Sequence, residues 1–234
     1  MRKLLSVMNR ALKEFDMLSE GDKIAVGVSC GKDSLMLLKA LAHYQKYSTI
    51  RFSLVAITVD IFGDRNFDAV QKFCDDIGVA FHVVRSNIFD IVFNERKEKN
   101  PCSLCARLRR GTLNSKAVEL GCNKIALGHH ADDFVETFIM SIAKENRLST
   151  FWPVTYLSNQ NLYVIRPFIF MPEKLIESSL TSEIPIMKNP CPADKKTERE
   201  RVKNLLVEIE KTLPNFKNNL FESIVHKERY NLSN

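Results

Sequence analysis

The chain has no long apolar run: the longest, Ile24 to Val28 and Leu54 to Ile57, stop far short of the ~20 residues that cross a bilayer, so no membrane partner is expected. Its N-terminus, Met1-Arg2-Lys3-Leu4-Leu5-Ser6, lacks the apolar core and small-residue cleavage site of a secretory leader, which points to a cytoplasmic protein. Internal repeats, low-complexity tracts and Gly/Ser linkers are missing too, so a solenoid or a string of modules is not expected. Neither G-x-x-x-x-G-K-[ST] nor G-x-G-x-x-G occurs, which weighs against an ordinary P-loop NTPase and against a dinucleotide-binding dehydrogenase. General disorder is excluded, because 45% of the 234 residues are hydrophobic and 26% charged.

What is present is basic and modestly rich in cysteine. Thirty-four Lys and Arg against 28 Asp and Glu leave a formal charge of +6, which favours a polyanionic partner without naming one. The six cysteines are Cys30, Cys74, Cys102, Cys105, Cys122 and Cys191. A cytosolic chain of this length needs no disulfide staples, so close cysteines are weighed first as metal or redox groups.

Hydrophobic spacing predicts an N-terminal helix over residues 3–18, then strands at 23–28, 52–60, 79–84, 124–127 and 162–165. Between them lie helices marked by Leu35, Leu38 and Leu41, by Phe67 to Ile77, over 105–120 and over 132–144. A shorter helix follows Pro172, and charged helical segments cover 197–210 and 216–226. Residues 86–104 read as an insertion. Short apolar strands alternating with helices predict an α/β fold, a Rossmann-like parallel sheet with helices on both faces. The expected division is an N-terminal helix (1–20), one catalytic domain (21–192) and a basic helical extension (193–234).

Three motifs carry chemistry. Ser29-Cys30-Gly31-Lys32-Asp33-Ser34 joins the first strand to a helix, where backbone N–H groups and the positive helix end converge on an anion. Gly128-His129-His130-Ala131-Asp132-Asp133 follows the fourth strand and therefore opens on the same sheet edge. Carboxylates placed there can hold Mg²⁺ against phosphates. Cys102 and Cys105 form a C-x-x-C, and Cys191 lies in a proline-bracketed loop. Their softness allows zinc, an iron–sulfur cluster or a disulfide-exchange pair. Cys74 and Cys122 read as packing residues.

The first motif resembles the loop of the PP-loop ATP pyrophosphatases, usually S-G-G-K-D-S, with Cys30 in place of the first glycine. Its combination with Cys102-Ser103-Leu104-Cys105-Ala106-Arg107-Leu108-Arg109-Arg110-Gly111, Gly128 to Asp133, Arg166-Pro167 and Cys191 resembles the tRNA 2-thiocytidine synthetase (TtcA-like) branch. Related 2-thiouridine enzymes carry further C-x-x-C pairs at both ends; here no cysteine precedes Cys30 or follows Cys191.

The resemblance implies ATP-dependent thiolation of a tRNA pyrimidine, cytidine 32 by family default, with ATP, Mg²⁺ and a [4Fe–4S] cluster as cofactors. Sulfur would come from a cysteine desulfurase or free sulfide, and a homodimer stays open. By position, Ser29, Cys30, Gly31, Lys32, Asp33 and Ser34 would hold phosphates, and Ile57, Val59 and Asp60 would border adenine and ribose. Gly128, His129 and Asp132 would line the crevice. Asp33, Asp133 and Arg109 would be catalytic, the carboxylates with Mg²⁺, and Cys102, Cys105 and Cys191 would hold the cluster. Zinc with a histidine fourth ligand, a lysidine-synthetase-like enzyme and a small-molecule thiolating or amidating enzyme are the alternatives. The Arg107–Arg110 run, the N-terminal helix (Arg2, Lys3, Arg10, Lys13) and Lys195, Lys196, Arg199, Arg201 and Lys203 are the expected phosphate contacts for tRNA.

Overall fold

The computed structural model describes residues 1–96, 101–191 and 198–226. Six strands form one sheet: β1 (Asp22–Gly27), β2 (Phe52–Asp60), β3 (Ala80–Arg85), β4 (Lys124–Ala126), β5 (Val154–Leu157) and β6 (Leu162–Ile165). Their spatial order is β3-β2-β1-β4-β6-β5. All neighbours are parallel except β5 and β6, which pair antiparallel from Val154↔Ile165 to Leu157↔Leu162. The sequence reading missed β5 and expected a purely parallel sheet. Val154–Leu157 is only four residues long, and its partly exposed edge position removes the continuous apolar run that marks a central strand.

Alternation along the strands divides the core. Ile24 and Val26 face one side, with α1 (Arg2–Glu14), α2 (Lys32–Gln45), α3 (Asp68–Asp76) and α5 (Ala131–Glu145). Ala25, Val55, Ile57 and Ile125 face the other, beneath α4 (Pro101–Glu119). Leu4 and Met8 of α1 are fully buried in the larger layer, as are Leu206 of α7 (Glu198–Thr212) and Phe221 of α8 (Phe216–Val225). The helices at both ends thus share one core with the central sheet. The division at residues 192 and 193 lies outside the described residues. Among the described residues, no helix is long and apolar enough to cross a membrane.

At the amino ends of the strands, Asp22 and Lys124 form an ion pair of 2.7 Å with side chains 3% and 9% exposed. Lys124 Nζ also donates to the Met17 carbonyl at 3.0 Å, so the buried ammonium is satisfied on two sides. At the carboxyl ends, β1 lies between β2 and β4. The chain runs outward from β1 through β2 to β3 and resumes at β4 on the other side, so the loops after β1 and β4 diverge and leave a crevice at this switch point.

Candidate active site

The loop after β1 is cross-linked by its own hydroxyls. Ser34 Oγ donates to the Gly31 carbonyl at 3.0 Å and accepts from Ser29 N at 3.1 Å; the two serine hydroxyls stand 3.1 Å apart. Gly31 is the N-cap of α2 and makes no side-chain cap, so the first-turn N–H groups of that helix have no intrahelical partner. Gly128, arriving from β4, packs onto this turn: a Cβ there would lie 3.1 Å from Asp33 C, Asp33 O and Ser34 N.

Between the two loops is a cavity of 370 Å³. Ser29, Asp33 and Ser34 line one wall and Gly128, His129 and Asp133 another; Ile57 and Val59 give an apolar side, and Arg109 and Arg110 of α4 close over it. Among the described residues, Asp33 Oδ1 is buried without a hydrogen bond. Lys32 Nζ stands 3.1 Å from it, attracting it electrostatically, while its hydrogen bond goes to Oδ2 at 3.3 Å. A buried anionic oxygen facing a cavity suits a cation such as Mg²⁺.

Asp133 belongs to a capping box at the start of α5. Its Oδ2 accepts from His130 N at 3.1 Å, and Asp133 N donates to His130 Nδ1 at 3.4 Å. His130 is the N-cap, a role the sequence did not suggest because histidine is uncommon there. His129 packs on Phe151 with ring centroids 4.9 Å apart, and its Nδ1 is buried without a partner. Burial pushes its pKa down to about 4, against the pull of Asp133, so it lines the cavity as a neutral imidazole.

Several expected site residues point elsewhere. Cys30 adopts φ 64°, the left-handed region, which explains why glycine suits this position. Its side chain turns inward, 1% exposed, with Sγ 3.5 Å from Thr58 Oγ1 and its thiol pKa raised by burial. It therefore adds no bulk to the cavity, contrary to the expectation of a side chain beside the phosphates. Lys32 reaches Glu173 Oε1 at 2.7 Å. Asp132 pairs with Lys217 at 2.9 Å and accepts from Glu173 N at 2.8 Å, facing away from the cavity. Asp60 is consumed by Arg85 (2.8 Å), Phe62 N (3.2 Å) and Arg65 N (3.0 Å); it builds the turn after β2 and does not line the cavity. Lys32, Asp132 and Asp60 stand in or near the motifs, and only the fold reveals that a charged partner from a distant segment claims each of them.

α4 reaches back to Pro101, the first residue described there, and so covers more than the expected 105–120. Cys102 and Cys105 therefore stand three residues apart on one helix, and Arg109 follows Cys105 one turn later. Cys102 is exposed; Cys105 and Cys191 are half-buried. Burial raises the Cys105 pKa, Arg109 lowers it, and the Cys191 and Cys102 thiols raise it again. Among the described residues, no three His, Cys, Asp or Glu side chains stand close enough to hold a metal ion as they are. The donor set, three soft thiols, suits an iron–sulfur cluster. His130 serves as a cap and His129 is packed on Phe151, so neither is poised as a fourth zinc ligand. Cys74 and Cys122 are buried packing residues, the Cys74 thiol pushed up to about 12 by burial.

The expected polyanion contacts divide. Arg107, Arg109 and Arg110 are exposed on α4. Arg199 and Lys203 instead make ion pairs inside the molecule, with Asp133 and Glu136 and with Glu173. Lys195 and Lys196 lie outside the described residues. Arg166 is a further buried cation that composition could not flag. Its Nη1 donates to the Trp152 carbonyl at 2.6 Å, and burial first, then Arg110, lowers its pKa to about 10.

This is the crevice of a PP-loop protein, and the PP-loop domain family matches residues 4–210. The chain is 36% identical over 225 residues to the tRNA-cytidine(32) 2-sulfurtransferase of Citrifermentans bemidjiense, covering 93% of this chain and 87% of the relative. It is 35% identical over 230 residues to the protein of the same name from Geobacter sulfurreducens, covering 95% and 89%. Among solved structures it resembles the U34-tRNA thiolase NcsA from Methanococcus maripaludis with its [4Fe-4S] cluster, at 28% identity and a TM-score of 0.75 over 95% of this chain and 77% of that one. The ammonia-dependent NAD synthetase of Campylobacter jejuni, 13% identical with a TM-score of 0.54 over 97% of this chain and 92% of that one, shares the fold alone. The chain belongs to the PP-loop family and, within it, to the group of the 2-sulfurtransferases, which makes it an enzyme of the transferase class.

Proposed function

We propose that this enzyme thiolates tRNA in an ATP-dependent reaction, activating C2 of a pyrimidine, cytidine 32, and exchanging its oxygen for sulfur. One observation carries the reading: the cavity lined by the loop after β1 and by Asp133 is also lined by Arg109 and Arg110 of the helix that bears Cys102 and Cys105. Nucleotide activation and sulfur handling then share one space.

The chemistry runs in two displacements. The pyrimidine O2 attacks the α-phosphorus of ATP, forming a P–O bond while the bond to pyrophosphate breaks. A sulfur nucleophile next adds to C2, and the C2–O bond breaks with AMP carrying away the oxygen. The α2 N-terminus and Ser29 to Ser34 hold the departing pyrophosphate through backbone N–H groups. Asp33 and Asp133 would hold Mg²⁺, which screens the phosphate charge. Ile57 and Val59 give adenine an apolar wall. Arg109 stabilises the negative charge that grows on AMP as it leaves. Cys102, Cys105 and Cys191 would hold a [4Fe–4S] cluster, which would supply sulfide-level sulfur for C2, taken up as free sulfide or as sulfide released from a desulfurase persulfide by a thiol reductant.

The test is pyrophosphate release from ATP with tRNA, paired with nucleoside analysis of tRNA from cells lacking the protein. Asp33→Ala should abolish release while the fold survives. Unchanged release in that variant, or unchanged 2-thiocytidine in the deletion strain, refutes the proposal.

A further inference from the structure

Arg199 belongs to the basic segment read as a contact for a polyanion, yet its guanidinium is turned onto α5. Nη1 donates to Asp133 Oδ1 at 3.2 Å, to the Asp133 carbonyl at 3.4 Å and to Glu136 Oε2 at 3.2 Å. Nη2 donates to Thr137 Oγ1 at 3.0 Å. The other oxygen of Asp133 is held by the capping box, through His130 N at 3.1 Å. The carboxylate is thus gripped from two sides, one local to α5 and one supplied by α7.

The helix that delivers Arg199 is itself docked. Leu206 is 1% exposed in the core, and Lys203 Nζ reaches Glu173 Oε2 at 2.7 Å. Glu173 also takes Lys32 at 2.7 Å, and Lys32 bonds Asp33 Oδ2 at 3.3 Å. α7 therefore touches both carboxylates of the cavity, Asp133 through Arg199 and Asp33 through the Lys203–Glu173–Lys32 relay. Burial opposes ionisation of Glu173, yet hydrogen bonds from Lys203 and Lys32 hold its carboxyl down to about 2, so the relay stays charged at neutral pH.

We propose that Arg199 is a positioning residue of the crevice: from α7 it aims the Asp133 carboxylate for the nucleotide step. The inference rests on the adenylation reading above. Its physical basis is that a half-exposed ion pair adds little stability, whereas a fixed carboxylate geometry governs rate, a ~1 Å misplacement costing about 10²-fold. Arg199 is 40% exposed at its side chain, so its removal should affect rate far more than fold.

The experiment uses the full chain with tRNA and follows pyrophosphate release. Arg199→Ala should lower kcat by about 10- to 100-fold with KM for ATP within a few-fold, because the loop after β1 is untouched. Arg199→Lys, which keeps one donor to Asp133, should recover part of the loss, and Lys211→Ala, an exposed change on the same helix, should do nothing. Should Arg199→Ala unfold because Glu136 is left buried without its partner, Arg199→Ala/Glu136→Gln removes that charge and should fold while keeping the rate defect. In an Asp133→Asn background, Arg199→Ala should cost nothing further, since the residue acts through that carboxylate. Wild-type kcat in Arg199→Ala, or losses that add in the double variant, overturns the proposal. So does a tRNA-binding salt slope flattened by roughly 0.7 to 0.9, which would make Arg199 a phosphate contact instead. A wild-type chain that releases no pyrophosphate removes the adenylation reading and this role with it; an active wild type beside an unaffected Arg199→Ala removes this role alone.

Discussion

Gly128→Ala tests whether the contact between the two loops of the crevice is as close as the structure requires. The glycine is not there for an unusual backbone angle, since its φ lies outside the left-handed region. It is there because three backbone atoms of Asp33 and Ser34 would meet an added Cβ at 3.1 Å, where ordinary contact begins near 3.4 Å. Those atoms belong to the first turn of α2 and cannot move without carrying Asp33 with them. Overpacking of this kind costs about 1–3 kcal/mol, or roughly 2–4 °C of Tm per kcal/mol for a chain of this size. The same shift of a few tenths of an ångström should cost several-fold to about tenfold in pyrophosphate release, scaled from ~10²-fold per ångström. Gly111→Ala is the counterpart: it lies inside α4 with nothing within 4 Å of its Cβ position, and replacing a helical glycine should raise stability by roughly 0.5–1 kcal/mol. Thermal unfolding of both variants, with pyrophosphate release for Gly128→Ala, reads the difference. If Gly128→Ala keeps both wild-type Tm and wild-type rate, the close approach of the loops is wrong.

Three further outcomes are expected. Anaerobic preparation should give a brown protein with about four irons per chain; Cys102→Ala, Cys105→Ala and Cys191→Ala should each lose them, Cys74→Ala and Cys122→Ala should not, and stoichiometric zinc with full activity would contradict the cluster. His129 takes up its proton near pH 4 in the folded chain and near 6.5 when unfolded, so the unfolded state binds more protons between these values. Stability present above pH 6.5 should therefore fall as pH drops towards 4, by at most about 3 kcal/mol; urea titrations at pH 7 and 4.5 that match those of His129→Gln would exclude this. Asp22→Ala leaves the Lys124 ammonium buried without its counter-charge and should cost about 3–5 kcal/mol, recovered only in part in Asp22→Ala/Lys124→Met because Ser19 N and Asn123 Nδ2 also lose their acceptor; a single variant with unchanged Tm would show the pair to be unimportant.

Strand and helix periodicity in the sequence determined most of the architecture, because each central element buries a face whose spacing is written locally. It also determined which loops border the crevice, since a parallel sheet sends the ends of β1 and β4 to one edge whatever else the chain does. β5 escaped because a short edge strand needs no continuous apolar run. That α4 reaches back to Pro101 escaped because the charged stretch before it reads as an insertion, and this is what places Cys102 and Cys105 on one helix.

Only the tertiary structure decided the partners of the charged residues. Lys32, Asp60 and Asp132 stand in or beside the motifs, yet Glu173, Arg85 and Lys217, distant in sequence, claim them. Arg199 and Lys203 belong by composition to a solvated basic face, yet α7 lays them against α5 and α6 (Glu173–Ser178). A hydrophobic pattern tells a side chain to leave water, and neighbours in the chain suffice to encode it. Which counter-charge a lysine, arginine or aspartate meets depends on segments brought together by folding, and no local spacing records that.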